Sequence, residues 1–84
     1  MTTPNHQIRC YSAALKMLMR REHSKLELFN KLKLKGYDDE IIDRAITQLT
    51  EQNYQSDERF AEAFILMRFN QGKGPVKIAS ELKL

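Results

Sequence analysis

Few side chains in this sequence could do covalent or metal chemistry. The 84 residues hold one cysteine, Cys10, and two histidines, His6 and His23. Nucleophilic catalysis needs a thiol or hydroxyl beside a base that a third group orients. No such arrangement is visible, and no nucleophile sits on a sharp glycine turn. No glycine-rich loop could cradle a phosphate, and no Cys/His spacing fits zinc. Asp39 and Asp43 stand one helical turn apart, where two carboxylates could share a cation. With no histidine or third carboxylate converging on them, they read as a solvated face. Gly72-Lys73-Gly74-Pro75 is a helix-to-helix turn, and two glycines do not make a nucleotide site. His23 reads as a hydrogen-bonding residue of a turn. The chain is expected to be no enzyme and to use no metal, cofactor or small-molecule substrate.

Cations are what the chain does supply. Residues 1–36 carry eight Lys/Arg against two acids, a net of +6. Residues 37–67 carry two against eight, a net of −6, and residues 68–84 four against one, a net of +3. Acids at helix starts and bases at helix ends account for part of this, as the helix dipole prefers. The segregation exceeds that need and sets a basic face beside an acidic one. Arg20, Arg21, Lys25, Lys31 and Lys35 form the basic face. It is either an ordinary solvated surface or a nonspecific contact for DNA phosphates, which would be steeply salt-dependent. Sequence-specific reading is another matter. A helix-turn-helix reader presents Arg, Lys, Asn or Gln at the start of its second helix. The corresponding helix here opens Asp38-Asp39-Glu40, with Asp43 a turn later, and phosphates would repel it.

The elements that must position these charges are helical. From Ile8 to about Arg21, apolar residues Ile8, Tyr11, Leu15, Leu18 and Met19 recur at helical spacing. Ser24 and Glu27 form a capping box for a second helix, the hydroxyl accepting from a first-turn amide and the carboxylate reaching back to the Ser24 amide. Leu26, Leu28, Phe29 and Leu32 line its inner side, and Gly36 ends it in the left-handed conformation. Asp38 caps a third helix with Ile41, Ile42, Ala45, Ile46 and Leu49 buried, and Asn53 takes the left-handed position at its end. Tyr37 and Tyr54 each follow such a stop and pack over the helix end. Ser56 caps a fourth helix whose Phe60, Ala63, Phe64 and Met67 face inward, and Gly72 stops it. Pro75 opens a fifth, with Ile78, Ala79 and Leu82, at a position where its missing amide costs nothing. Phe29, Leu32, Ile46, Phe60 and Phe64 are the expected core.

These helices repeat. Ser24–Leu34 aligns without gaps on Gly74–Leu84, fifty positions later, pairing Leu26 with Val76, Leu28 with Ile78, Leu32 with Leu82, Lys33 with Lys83 and Leu34 with Leu84. Helix one matches helix four with a shift of about one residue. The fold class is therefore all-α, tandem three-helix repeats, one complete and a second truncated after its second helix. The divisions are 1–7, a frayed lead-in; 8–53, the first repeat; and 54–84, the first two helices of the second. Ile78 and Leu82 would then be partly exposed or covered by a partner.

Composition sets limits. At 42% hydrophobic and 30% charged the chain is a folding one, not a disordered one. A domain this small buries only about 60–65% of its unfolded surface, so its stability margin is thin. One cysteine makes no internal disulfide, and Cys10 reads as a small buried hydrophobe in a reducing compartment. No apolar run approaches the ~20 residues of a membrane span, and MTTPNHQ is no signal peptide. The expectation is a cytoplasmic protein with no membrane contact.

Three stretches carry a resemblance. They are REHS-K-x-E-L-x-x-K-L-x-x-K-G-Y (Arg21 to Tyr37), S-D-E-R-F-A-E-A-F (Ser56 to Phe64) and G-K-G-P-x-x-I-x-x-E-L (Gly72 to Leu82). In this order and spacing the chain resembles the RecX family of recombination regulators over nearly everything after Ile8. That family is built of tandem three-helix repeats, usually three; this chain departs by stopping inside the second, as an N-terminal fragment would. The resemblance implies a partner, the RecA nucleoprotein filament, whose extension, ATP hydrolysis and strand exchange the family blocks. The family motifs assign no contact role to single cations. From charge, the expected contact face is Arg20, Arg21, Lys25, Lys31 and Lys35 with Arg68, Lys73 and Lys77. The alternatives are a nonspecific nucleic-acid-binding module and a scaffold for another protein.

Overall fold

The first helix starts earlier than its apolar spacing suggests. In the structure, a computed structural model that describes residues 4–82, α1 runs Pro4–Arg20. Proline at a first helical position lacks only an amide that had no partner there, so residues 4–7 are helix rather than lead-in. The expectations for residues 1–3 and the repeat partners Lys83 and Leu84 lie outside the described residues. Beyond α1 come α2 (Lys25–Leu34), α3 (Asp39–Glu51), α4 (Asp57–Asn70) and α5 (Pro75–Glu81), with no strand among the described residues.

Helix ends follow local chemistry. Gly36 at φ 94°, Asn53 at φ 64° and Gly72 at φ 80° are the left-handed residues that close α2, α3 and α4. Each sits in a Schellman motif. The amides of Tyr37, Tyr54 and Lys73 reach back to the carbonyls of Leu32 (3.4 Å), Leu49 (2.9 Å) and Arg68 (3.2 Å). Tyr37 packs on the core, whereas Tyr54 is half exposed. At the starts, the Ser24 hydroxyl accepts from Glu27 N at 3.0 Å and the Ser56 hydroxyl from Arg59 N at 3.2 Å.

Two expected caps differ. The Glu27 carboxylate does not return to the Ser24 amide; it holds the Arg21 guanidinium instead. A full cation one turn away outcompetes a neutral amide for a carboxylate. Asp38 occupies the N-cap position of α3 in extended conformation but makes no side-chain cap hydrogen bond. Its charge there still suits the positive end of the α3 dipole.

The core lies between α1, α2 and α3. Cys10 and Ala14 of α1 are fully buried, and their small size lets α3 come close. From α3 the five expected residues, Ile41, Ile42, Ala45, Ile46 and Leu49, are all buried, and from α2 Leu28 and Leu32 are. Tyr11, Leu15, Leu18 and Phe29 flank this core half-buried. Ile8, Met19 and Leu26 lie outside it, exposed.

The second unit is thinner. Among the described residues α5 is the only helix packed closely on α4, and α4 buries none of its residues. Phe60 and Phe64, expected in the core, are half-buried with ring centroids 6.0 Å apart, and Ala63 and Met67 are exposed. A helix with a single helical neighbour buries one seam, not a stripe. On α5, Ile78 is buried and Val76 exposed. The repeat survives in detail: Ser24 and Gly74, fifty residues apart, share the N-cap backbone geometry φ −74°, ψ 162°. The ends of α1 and α4, Arg20 and Asn70, are also fifty apart, one residue off the expected shift.

Polar contacts join the units. Gln55 is fully buried: its amide nitrogen donates to the His23 carbonyl (3.2 Å) and to Asp57 Oδ1 (2.9 Å), and its oxygen accepts from Thr50 Oγ1 (2.8 Å). Asp57 Oδ1 also accepts from the Lys25 amide at 2.9 Å, linking the starts of α2 and α4. Arg59 Nε pairs with Glu22 at 2.9 Å and its guanidinium caps the Asn53 carbonyl at 2.7 Å. The result is elongated, 48 × 22 × 17 Å with a radius of gyration of 14.3 Å, against about 12 Å for a compact chain of this length.

Candidate docking surface

The eight candidate cations divide by whether an acid already holds them. The turn between α1 and α2 brings Arg21 onto both oxygens of the Glu27 carboxylate, one turn into α2. Glu27 is held below the usual carboxylate range, first by the Arg21 hydrogen bond and then by nearby cations, and Arg21 is raised in turn. Lys31 Nζ stands 3.8 Å from Glu27 Oε2 and 3.2 Å from His23 Nε2. A lysine donating to Nε2 leaves the imidazole proton on Nδ1, which donates to the Arg21 carbonyl at 2.9 Å. His23 is buried, and burial is the main cause pushing its pKa below the ordinary histidine value. It is a neutral, structural histidine, as the sequence suggests.

In the second unit Glu81 gathers the cations. Lys73 Nζ lies 3.2 Å from Glu81 Oε1 and Arg68 Nε 3.3 Å from Oε2. The Lys73 hydrogen bond is the first cause holding the Glu81 carboxyl low, and Arg68 adds to it. The Arg68 guanidinium also sits 5.2 Å over the Phe64 ring. Partly exposed pairs such as these add little stability, but they occupy the cations.

Arg20, Lys25, Lys35 and Lys77 have no ion pair among the described residues, and all four are exposed. Lys25 borders a shallow depression shared with Asp43. Arg20 and Lys35 come together, on a groove of about 530 Å³ between α1 and the α2–α3 turn. Arg9 and Lys16 complete its basic rim, and no acidic side chain among the described residues lines it. Sequence reasoning did not single out Arg9 and Lys16. Their signal was available: Arg9, Lys16 and Arg20 stand at i, i+7 and i+11, one face of one helix. Arg68, Lys73 and Lys77 do not line this groove.

No group of three or more His, Cys, Asp or Glu could hold a metal among the described residues, and no described helix is long and apolar enough to cross a membrane. Cys10 is buried, with its thiol pushed up to about 11 by desolvation. The surface offers charge and shape rather than reactive groups.

Comparison with known proteins agrees with the repeat architecture. The model of the first three-helix domain of RecX matches residues 10–49, and that of the second matches residues 56–84. A protein named Regulatory protein RecX from Legionella pneumophila (strain Corby) is 44% identical over 75 residues, covering 89% of this chain and 50% of its own length. One of the same name from Stenotrophomonas maltophilia (strain K279a) is 48% identical over 69 residues, covering 82% and 42%. A third, from Ectopseudomonas mendocina (strain ymp), is 43% identical over 70 residues, covering 83% and 47%. The chain thus spans about half the length of the relatives it matches. With two family domains matched in tandem, on the two helical units the structure contains, the chain belongs to the RecX family.

Proposed function

We propose that this chain carries part of a regulator of homologous recombination that binds the RecA nucleoprotein filament and inhibits its extension, ATP hydrolysis and strand exchange. One observation carries the reading: the first and second RecX domains match in order, in a chain whose relatives are named regulatory proteins. The shape supports it. A body 48 Å long and 17 Å across can lie along a groove that repeats from subunit to subunit. The charge supports it too. Arg9 and Lys35 of the α1 groove share an adjoining depression with the exposed acid Asp38 at the start of α3. Opposite charges on adjoining patches favour one register on a partner and speed encounter more than they raise affinity. Inhibition then follows from position, since a body seated in the groove blocks the place an incoming subunit or strand would take. No catalytic step is required, and the regulator works in the cytoplasm.

The test is single-strand-dependent ATP hydrolysis by RecA, with this chain titrated in at two salt concentrations. Substoichiometric inhibition that weakens at the higher salt is the expected result. If neither this chain, folded by circular dichroism, nor a full-length relative inhibits hydrolysis, the reading is wrong. Inhibition by the full-length relative alone would place the contact outside this chain.

A further inference from the structure

The ion pairs sort the cations of this chain into two kinds. Arg21, Lys31, Arg68 and Lys73 each have a carboxylate. Arg9, Lys16, Arg20 and Lys35 have none among the described residues, and all four rim one groove. We infer that this groove on α1 seats the phosphodiester backbone of a nucleic-acid strand, with Arg9, Lys16 and Arg20 on one wall and Lys35 on the other.

The geometry favours a strand over other anions. Along α1 the three cations span eleven residues, about 16 Å at a rise of 1.5 Å per residue. Each strand of a duplex presents one phosphate per roughly 3.4 Å of rise, and a single strand can extend further, so several consecutive phosphates fit that span. The cations alternate in spacing between seven and four residues, a line of charge suited to a continuous polyanion. A small anion would instead need buried donors converging on one point, and the rim cations are exposed. Between the cations the groove is lined by Ile8, Ser12, Ala13, Met17 and the half-buried Tyr37. Among the described residues its neutral polar groups are the Ser12 and Tyr37 hydroxyls, too few to read a run of base edges, and the acids that begin α3 stand outside the groove. Binding here is therefore nonspecific and dominated by counterion release. Asp38 joins Arg9, Lys35 and Tyr37 around an adjacent depression, which limits the strand to the α1 side.

The assignment deepens the reading above, because a recombinase filament contains a DNA strand. Its test omits the recombinase, so the two can fail separately. The binding of a short fluorescent oligothymidylate to the whole chain is followed by anisotropy between about 50 and 200 mM salt. Four phosphate contacts at about −0.7 each give a log–log slope near −2.8, an affinity loss of roughly 50-fold across that range. Lys16→Gln with Lys35→Gln halves the slope, leaving a loss of roughly 7-fold. These side chains are exposed and make no hydrogen bond among the described residues, so the substitutions leave the core untouched. Arg21→Ala and Lys73→Ala, each removing a paired cation, leave the slope unchanged. The assignment is overturned if the wild type does not bind at the lowest salt. It is also overturned if the groove variant keeps the full slope, or if the paired-cation variants reduce it equally. An oligoglutamate peptide that displaces the oligonucleotide at equal concentration would likewise overturn it, in favour of an acidic protein partner.

Discussion

Replacing Gln55 with alanine tests what joins the two helical units. Gln55 is 1% exposed and makes three side-chain hydrogen bonds, to Thr50, His23 and Asp57. A net hydrogen bond contributes about 1 kcal/mol, more when one partner is charged as Asp57 is, and a buried carbonyl left bare costs about 1–3 kcal/mol. The three are not additive, since they share one side chain. Gln55→Ala is therefore expected to cost about 2–4 kcal/mol. A domain of this size has total stability on the order of 4–13 kcal/mol, so the loss is a large fraction. Each kcal/mol corresponds to about 4–8 °C in Tm for 60–100 residues, which puts the midpoint roughly 8–30 °C lower. Urea unfolding gives the energy; amide exchange locates it. Protection in α4 should fall further than protection in α3, because α3 keeps its buried partners Ile42, Ala45 and Leu49. Gln48→Ala, an exposed change on α3 whose side chain makes no hydrogen bond among the described residues, is the control. A cost below about 0.5 kcal/mol, the range of ordinary surface substitutions, would refute the argument. So would an equal loss of protection in α3 and α4, because the network would then not be what holds the second unit.

Core truncations should split along the two units. Leu32→Ala, at a fully buried site, is expected to cost about 2–5 kcal/mol, whereas Phe64→Ala, at a half-buried one, costs less; thermal melts that rank them the other way would contradict the burial pattern. Below about pH 6.5 the unfolded chain protonates His23 more readily than the folded one does. Stability attributable to His23 is therefore present above that pH and declines as pH falls through it. Urea midpoints should show this slope in the wild type and a shallower one in His23→Asn. Cys10, buried and with its thiol raised to about 11, should resist alkylation until the chain unfolds; rapid labelling under native conditions, read by mass, would show that α1 and α3 open locally. Ser24→Ala removes the accepted hydrogen bond from Glu27 N and should cost about 1 kcal/mol, measured by the same unfolding experiment.

Local chemistry was readable because its partners lie within a few residues. Gly36, Asn53 and Gly72 end their helices where the amide of the following residue reaches back five residues, and the Ser24 and Ser56 hydroxyls accept from amides three residues on. The apolar stripe of α3 was equally plain, since its five buried residues belong to one cluster with residues of α1 and α2. The errors share a different cause. The Ser24–Glu27 spacing predicts a bond back to the Ser24 amide, but Arg21 stands nearby with a full charge and takes the carboxylate. The stripe of α4 was assigned to a core, but burial depends on what stands opposite, and α4 has one close helical neighbour. Gln55 drew no attention in the sequence, because a glutamine between two helices has no period or motif to mark it.

The sequence by itself determined the five helices, the fifty-residue repeat and the family, all of which rest on spacing and on turn chemistry confined to short stretches. The tertiary structure alone decided which cations are free. Glu27 and Glu81 neutralise Arg21, Lys31, Arg68 and Lys73. Folding leaves Arg9, Lys16 and Arg20 of α1 with Lys35 around a groove that no carboxylate of the described residues lines. A net charge is a sum along the chain, but a charge is available to a partner only where no opposite charge lies within about 4 Å, and distance in space is what the fold alone establishes.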